Sequence, residues 1–300
     1  MLKMRSLGID FENPFVLSAG ILGVSASSLI RAHESGAGAV TTKSISLEAR
    51  RGHANPTVIA FEAGLLNAVG LSNPGIDAFI PEIKKVKEKN IPLIANAIGD
   101  TPKDIATVAT MAEEAGADII EINPSCPNVI HKKPYASDPK LLHELTGTVK
   151  DAVKIPVLVK LSPNVDKIGA LAKTAEDAGA DGITAVNTLG PGMLIDIASK
   201  KPILDFKMGG ISGPALRPVA VRCVYEIYEA VKIPILGVGG VTSGRDAMEI
   251  MLAGATQVGI GSAVYYRGAN AFKKIGNETI ELMKEYGYKN TKEITGAAHE

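Results

Sequence analysis

The chain has 300 residues, and its 32 lysine and arginine residues equal its 32 aspartate and glutamate residues in number. This length can bury a large core and fits either two ordinary domains or one α/β barrel. A net charge of zero argues against nucleic acid or a membrane surface as a partner, and no apolar run reaches the roughly 18 residues of a membrane-spanning helix.

Two sequence phrases alternate along the chain and predict its strands in order. One phrase ends a helical pattern with glycine and begins a short apolar run, as in AGADIIEIN (115–123); the other joins a basic helix end to Ile-Pro and an apolar run, as in VKIPVLVKLSP (153–163). This alternation indicates repeated βαβ units with parallel strands covered by helices. Together with NPFVLSAG near the start, it predicts a single-domain (β/α)8 TIM barrel over residues 1–300, with strands near residues 16–19, 39–43, 93–97, 119–123, 157–161, 183–187, 235–238 and 257–260.

Local patterns predict how this barrel is closed and covered. Residues 2–14 alternate like a small hairpin, which we expect to plug the N-terminal mouth. The sequence TPKD (101–104) predicts a capped helix start. Three long segments follow predicted strands and would project over the C-terminal face, where barrel enzymes have their active sites. These segments are 44–75, 124–138 and 188–213.

Glycines end the last two predicted strands. The sequences GVGG (237–240) and GIGSA (259–263) place bare backbone amides there, next to the start of a helix. Barrels hold phosphate groups at this position, although glycines also serve tight corners between strands and helices. We therefore predict a phosphate site at these two loops. The chain has no G-x-G-x-x-G pattern, so a dinucleotide-binding fold is not supported.

Lysines and asparagines accompany the strand ends. Lys43 in TTKS and Lys160 in VLVKLSP would point into the barrel mouth, where a lysine either pairs with an anion or, when desolvated, forms a Schiff base. Four asparagines lie at strand ends or in loops over the same face, and their amides suit a flat heterocycle that forms hydrogen bonds. These asparagines are Asn67, Asn123, Asn128 and Asn187.

Cys126 lies in EINPSCPNVI (121–130), directly after a predicted buried strand. A metal ligand, a disulfide, a covalent nucleophile and a proton acceptor are all roles for such a thiol. Two cysteines are too few for a disulfide framework or a four-ligand iron–sulfur cluster, and the five histidines show no metal spacing, so no metal site is predicted. The other thiol, Cys223, falls on the apolar face of a helix. No export signal is recognisable, and we expect a cytoplasmic protein.

Several motifs together resemble dihydroorotate dehydrogenases, in the order and at the spacing of that family. They are NPFVLSAG, TTKS, NAVGLSNPG, NPSCPN, VKLSPN, VNTLGPGM, GGISGPALRP, GVGGVTSGRDAMEIMLAGA and VGIGSA, and the similarity covers about residues 5–268. The chain most resembles the catalytic subunit of the NAD-linked, two-subunit branch, class 1B. The resemblance implies oxidation of dihydroorotate to orotate in pyrimidine (UMP) biosynthesis, with flavin mononucleotide (FMN) bound across the barrel mouth.

The resemblance also implies a role for each matching residue. Cys126 would be the base that removes the C5 proton, while N5 of FMN takes the C6 hydride and Lys160 faces N1 and O2 of the ring. Dihydroorotate would be held by Lys43, Asn67, Asn123, Asn128, Asn187 and Thr188. FMN would be held by Ala19, Gly20, Lys43, Ser44, Asn96, Asn123, Lys160, Val186, Gly213, Gly239, Gly240, Gly261 and Ser262, with its phosphate at the last four and Gly213 nearby.

The resemblance implies that electrons leave through a second subunit. That subunit would carry FAD and an iron–sulfur cluster and reduce NAD, in an assembly that is a homodimer or a heterotetramer. Alternatives are a fumarate-linked dihydroorotate dehydrogenase and an FMN-dependent dihydropyrimidine dehydrogenase, for which the family resemblance leads us to expect histidine at position 128. Two further alternatives, from other classes, are a Schiff-base barrel lyase and a barrel retained as an assembly scaffold.

Overall fold

Eight parallel strands form a closed barrel in the computed structural model, which describes residues 1–124 and 135–299. The strands of the chain are β1 (Met4–Ser6), β2 (Ile9–Phe11), β3 (Phe15–Leu17), β4 (Ala39–Thr41), β5 (Val58–Phe61), β6 (Gly64–Asn67), β7 (Leu93–Ala97), β8 (Ile119–Ile122), β9 (Val157–Leu161), β10 (Gly182–Ala185), β11 (Leu189–Gly192), β12 (Ile195–Asp196), β13 (Lys201–Pro202), β14 (Gly209–Ser212), β15 (Ile235–Val238) and β16 (Gln257–Ile260). The barrel runs in chain order through β3, β4, β7, β8, β9, β10, β15 and β16, and β16 pairs back to β3.

Amphipathic helices cover the outside of the barrel. They are α1 (Ala26–Glu34), α2 (Ile76–Lys87), α3 (Pro102–Glu114), α4 (Pro139–Ala152), α5 (Ile168–Asp177), α6 (Arg217–Ala230), α7 (Gly244–Leu252), α8 (Ala263–Arg267) and α9 (Ala271–Glu285). The predicted start of α3 is confirmed, since Thr101 and Asp104 cap each other's backbone amides. Cys223 is fully buried on the inner face of α6, also as predicted. In the two described ranges, no helix combines the length and apolarity needed to cross a bilayer.

The eight predicted barrel strands are confirmed, and four of them have the predicted bounds. Three of the others end before the polar residues of the mouth. For example, β4 ends at Thr41 because the amide of Lys43 turns to the carbonyl oxygen of Gly23, at 2.7 Å, instead of extending the strand pairing. Lys43 therefore follows its strand and is free of the barrel's ladder of backbone hydrogen bonds.

The hairpin of β1 and β2 closes the N-terminal end of the barrel, as predicted. The two strands pair antiparallel, with Met4 opposite Phe11. Phe11 is buried among residues from six barrel strands, and this interior group is Val16, Ala39, Ile94, Ile119, Leu158 and Leu236. Apolar packing therefore fills this end of the barrel, which leaves the C-terminal mouth for ligands.

Two of the three long segments fold together over the C-terminal face. β5 and β6 from segment 44–75, with β11 and β14 from segment 188–213, form one antiparallel sheet in the order β11-β14-β6-β5. Glycines permit β14 to pass close to Thr188 and to Asn67. A Cβ at Gly210 would overlap the Thr188 side chain, and one at Gly209 would overlap the backbone of Asn67. The sheet therefore brings two predicted substrate ligands close to the same pair of glycines.

Candidate active site

Six barrel strands place a polar side chain in one interior layer, directly above the apolar plug. Successive residues of a strand point to opposite faces, so a residue two positions after an interior residue is interior as well. By this rule the layer contains Ser18, Thr41, Asn96, Glu121 and Lys160, and Thr184 joins it through a hydrogen bond to Glu121. All six residues are at most 7% exposed.

Glu121 lies at the centre of this layer and was not among the residues predicted from the sequence. Its Oε1 accepts a hydrogen bond from Nδ2 of Asn96 and lies 3.6 Å from Nζ of Lys160, while its Oε2 accepts from Oγ1 of Thr184 at 2.7 Å. These partners replace the water that a buried carboxylate loses. The available signal was a charged residue inside the otherwise apolar strand sequence IIEI (119–122).

The two predicted lysines lie at different depths. Lys160 is the fourth of the five residues of β9 and lies inside the barrel, deeper than a strand end. Lys43 lies beyond the end of β4 and is partly exposed. Burial lowers the pKa of Lys43, and the positive charge of Lys160 lowers it further. The two ammonium groups therefore share one electrostatic environment at the mouth.

Four predicted substrate ligands come together on one side of the mouth, three of them in direct contact and the fourth through Gly210. Nδ2 of Asn187 donates to Oδ1 of Asn123 at 3.2 Å, and the backbone amide of Thr188 donates to Oδ1 of Asn187 at 2.9 Å. Nδ2 of Asn67 donates to the carbonyl oxygen of Gly210 at 3.2 Å, and Gly210 passes against Thr188. The amides thus lie on one side of the mouth, on β8, the end of β10 and the covering sheet.

Asn164 supports this group and was not predicted, although it lies in the motif VKLSPN. Its Nδ2 donates to the carbonyl oxygen of Thr188 at 3.3 Å and to Oγ of Ser162 at 3.1 Å, and its Oδ1 accepts from the amide of Gly190 at 2.9 Å. Asn164 therefore links the end of β9 to the segment that carries Thr188.

The predicted base Cys126 and the predicted ligand Asn128 lie outside the described residues. The described chain reaches Pro124, two residues beyond the end of β8, and continues at Tyr135. Asn123 shows that the segment leaves the barrel at the mouth, because it is 9% exposed and in contact with Asn187.

Two glycines at the predicted phosphate site, Gly213 and Gly240, lie with their backbones in close contact. Gly213 and Gly240 both have positive φ, +89° and +72°. A Cβ at Gly240 would lie 2.7 Å from the carbonyl oxygen of Gly213 and 2.9 Å from the backbone nitrogen of Arg217. A side chain therefore does not fit there, and glycine is required by the protein itself.

Gly261 differs from these two glycines, because the protein leaves space beside it. The nearest atom to a Cβ at Gly261 would be Cβ of Ser18, at an ordinary contact distance of 3.7 Å. Gly261 and Ser262 follow β16, which is the neighbour of β15 and its following Gly239. The four predicted phosphate residues, Gly239, Gly240, Gly261 and Ser262, thus lie at two adjoining corners, and the space beside Gly261 suits a ligand that approaches the backbone.

The remaining predicted flavin ligands lie around the rim of the mouth. Ala19 and Gly20 follow β3, and Ser44 lies beyond the end of β4. Val186 follows β10, and its amide donates to the carbonyl oxygen of Val238 at 2.8 Å. Ser44 and Val186 are buried, whereas Gly20 is exposed.

Three buried polar atoms test whether a polar cofactor fits this mouth. Oγ of Ser18, Oγ1 of Thr41 and Oδ1 of Asn96 are buried and have no hydrogen-bond partner among the described residues. They lie in the interior layer on the adjacent strands β3, β4 and β7. A buried group without a partner costs about 1–3 kcal/mol, so a ligand edge that offers donors and acceptors fits this side of the barrel.

The barrel fold and the residues at its mouth indicate the class of protein. Parallel barrels of this kind bind and transform small ligands at the C-terminal face, and two lysines, a ring of amides and bare glycine corners suit a polar, anionic ligand set. The family model for dihydroorotate dehydrogenase matches residues 1–283. The chain therefore belongs to the dihydroorotate dehydrogenase family, whose members are flavin-dependent oxidoreductases.

Proteins of similar sequence align with this chain over its whole length. The protein named dihydroorotate dehydrogenase B (NAD(+)), catalytic subunit, is 46% identical in both Methanothermobacter thermautotrophicus and Methanocaldococcus jannaschii, with 100% of this chain and 99% of each relative covered. The protein of the same name in Pyrococcus horikoshii is 45% identical, over 99% of this chain and 98% of the relative. The crystal structure of DHODH from Eimeria tenella in complex with ferulenol matches with a TM-score of 0.88 and 21% identity, covering 99% of this chain and 88% of that one. The last match supports the barrel fold.

Proposed function

We propose that this chain oxidises dihydroorotate to orotate with FMN bound at the barrel mouth, as the catalytic subunit of an NAD-linked enzyme. The observation that carries the proposal is the convergence of Lys43, Asn67, Asn123, Asn187 and Thr188 at one mouth in a member of this family. Dihydroorotate is a small ring with a carboxylate and several ring N–H and carbonyl groups, and these residues offer it a cation and several amides.

The substrate would be bound by charge at one end and by hydrogen bonds at the other. A carboxylate beside Lys43 gains from its ammonium group, whose pKa is lowered while the site lacks an anion. The amides of Asn67, Asn123 and Asn187 pair with ring N–H and carbonyl groups. Asn123 and Asn187 hold each other in place, and the carbonyl oxygen of Gly210 holds Asn67. Binding of this kind orients the ring before any bond is broken.

The cofactor would be held by the glycine corners and by the interior layer. The phosphate would be held by the backbone amides of Gly239, Gly240, Gly261 and Ser262, with Gly213 nearby. The unpaired oxygens of Ser18, Thr41 and Asn96 would meet polar groups of the ring system, with Lys160 supplying positive charge. FMN, when bound, supplies the acceptor for the hydride that leaves C6 of the substrate.

Cys126 would take the proton from C5. A free thiol has a pKa of about 8.5, so a few per cent of it is thiolate at neutral pH. The thiolate gains the proton and becomes a neutral thiol. The substrate loses that proton from C5 and a hydride from C6, and the electron pair of the C5–H bond becomes the C5–C6 double bond of orotate.

The electrons would then leave for a partner subunit. This chain has two cysteines and no dinucleotide fingerprint. A reductase subunit with FAD and an iron–sulfur cluster would therefore carry them to NAD. The relatives named as catalytic subunits support a partner of some kind.

The visible spectrum of the purified protein, recorded without oxygen, tests this proposal. We expect a yellow flavin spectrum that bleaches when dihydroorotate is added and does not bleach with dihydrouracil. The protein alone should not reduce NAD. A colourless protein that borohydride traps with substrate would support a Schiff-base lyase instead, rapid reoxidation by fumarate would favour the single-subunit branch, and bleaching by dihydrouracil would favour a dihydropyrimidine dehydrogenase.

Orotate affinity should depend on pH through Lys43. Bound orotate favours the charged lysine, so its affinity should be constant below the pKa of free Lys43, which lies below the ordinary 10.5. Above that pKa, binding should weaken by about tenfold per pH unit until the pKa of the complex is reached. Calorimetric titration of the FMN-loaded Cys126→Ser protein with orotate between pH 7 and pH 10.5 measures this change, because this background lacks the thiol that ionises in the same pH range.

Lys43→Arg provides the control for this titration. Arginine keeps its charge over the whole range, so the pH dependence should flatten even if the affinity at pH 7 changes. If the orotate affinity of Lys43→Arg falls with rising pH by the same factor, a group other than Lys43 is responsible for the pH dependence.

A further inference from the structure

Glu121 is a buried charge that the proposed ligand and base roles do not use. We propose that it is a positioning residue, whose carboxylate fixes the Lys160 ammonium and the Asn96 amide beneath the flavin site and offsets part of the positive charge there. This inference rests on the proposed function, because it requires FMN at this mouth.

The carboxylate connects four neighbouring strands. Glu121 extends from β8, with Asn96 on β7 to one side and Lys160 and Thr184 on β9 and β10 to the other. Both oxygens are engaged, Oε1 with Asn96 and Lys160 and Oε2 with Thr184. Because all four side chains are buried, each is held in position by the others, and water does not compete for the contacts.

Glu121 decides which way the Asn96 amide faces. An ionised carboxylate only accepts hydrogen bonds, so Asn96 must turn its Nδ2 towards it. Oδ1 of Asn96 is then directed elsewhere in the interior and has no partner among the described residues. An amide oxygen held in this way is an acceptor for a donor on a bound ring. A glutamine at position 121 could donate as well as accept, and would no longer impose this orientation.

Glu121 also sets the charge at the mouth. The charge of Lys160 lowers the pKa of Lys43, so the two lysines repel each other. A carboxylate 3.6 Å from Nζ of Lys160 offsets part of that positive potential. Its removal would make the mouth more positive, and a more positive mouth favours the electron-rich reduced flavin over the oxidised one.

The midpoint potential of the bound flavin, measured at pH 7 against a reference dye in the purified FMN-loaded protein, tests the proposal. Glu121→Gln keeps the shape of the side chain and removes its charge. We expect the equilibrium constant for two-electron reduction to rise about tenfold, which corresponds to a potential about 30 mV more positive. Asp118→Asn is the matched control, because Asp118 immediately precedes the same strand but pairs with Lys87 at the opposite end of the barrel. That variant should leave the potential unchanged.

An unchanged potential in Glu121→Gln, or an equal shift in Asp118→Asn, would overturn the proposal. If Glu121→Gln does not fold, Glu121→Asp carries the test, because it withdraws the carboxylate from Lys160. The equilibrium constant for two-electron reduction should then rise about threefold. An unchanged constant would overturn the proposal. A wild-type protein that neither binds FMN nor bleaches with dihydroorotate would refute the proposed function and this inference together. If only the Glu121 inference is wrong, the wild-type protein still binds FMN and its flavin still bleaches with dihydroorotate.

Discussion

Cys126→Ser is expected to lower dihydroorotate turnover at pH 7 by about 10²- to 10⁴-fold, the usual contribution of a general base. A serine hydroxyl is far less acidic than a thiol, so the base would be lost while the volume of the side chain is nearly kept. Binding of FMN and orotate should persist, because the substitution changes only the thiol and keeps every residue proposed to hold them. Stopped-flow measurement of flavin bleaching separates this chemical step from binding.

The pH profile of the wild-type protein gives the same prediction a second readout. Flavin bleaching by dihydroorotate should become faster with rising pH until the Cys126 thiol is ionised, with a free-thiol pKa near 8.5 as the reference. The serine variant should lack that inflection. Turnover in Cys126→Ser equal to that of the wild type would remove the base assignment.

Cys223→Ala is the matched control for this thiol. Cys223 is fully buried on α6, and burial raises its pKa, so it remains a neutral thiol in the core. Its replacement should cost about 1 kcal/mol of stability through lost packing and leave the bleaching rate unchanged. Loss of turnover in both variants would point to the fold and not to the base.

The barrel was predictable from the sequence because its signals are local. Each βαβ unit repeats an apolar run of strand length and a helix with one apolar face, and those periodicities do not depend on distant residues. The start of α3 is similar, since Thr101 and Asp104 are three positions apart and cap each other within one turn. The lysines, asparagines and glycines of the mouth were predicted as a set because each lies at the end of a predicted strand or in a loop over the same face.

The parts that were missed depend on contacts between distant segments. The covering sheet pairs Gly210 with Asn67, which are 143 residues apart, and its strands contain glycines that carry no strand signal of their own. Glu121 is similar, because only closure of the barrel brings Asn96, Lys160 and Thr184 around it. From sequence alone a single carboxylate in an apolar strand has no identifiable partner.

Asp246→Ala is expected to lower the free energy of unfolding by about 3 kcal/mol and to weaken FMN binding by at least about tenfold. Asp246 is 3% exposed and forms an ion pair with Arg217. Its Oδ2 accepts from the amides of Thr242 and Ser243 and from Oγ1 of Thr242, each at 2.9 Å. Alanine would leave these donors without their acceptor and would leave the Arg217 guanidinium with the ion pair to Glu249.

The effect on FMN follows from the position of this loop. Asp246 holds the segment that links Gly240 to α7, and Arg217 begins α6 with its backbone nitrogen against Gly240. A loosened loop would no longer present its amides at the proposed phosphate site, and positioning of donors before binding is what gives such a site its affinity. Urea denaturation without added FMN measures the stability change, and quenching of FMN fluorescence measures the affinity.

Asp104→Ala separates the loss of stability from the loss of FMN affinity, because Asp104 occupies the same capping position in α3 as Asp246 does in α7. Among the described residues it has no arginine partner, and it lies at a helix that follows β7, away from the glycine corners. Its loss should cost about 1 kcal/mol and leave FMN affinity unchanged. If Asp246→Ala also kept full FMN affinity while losing stability, the loop after β15 would be a structural corner and the phosphate would have to be held by the loop after β16.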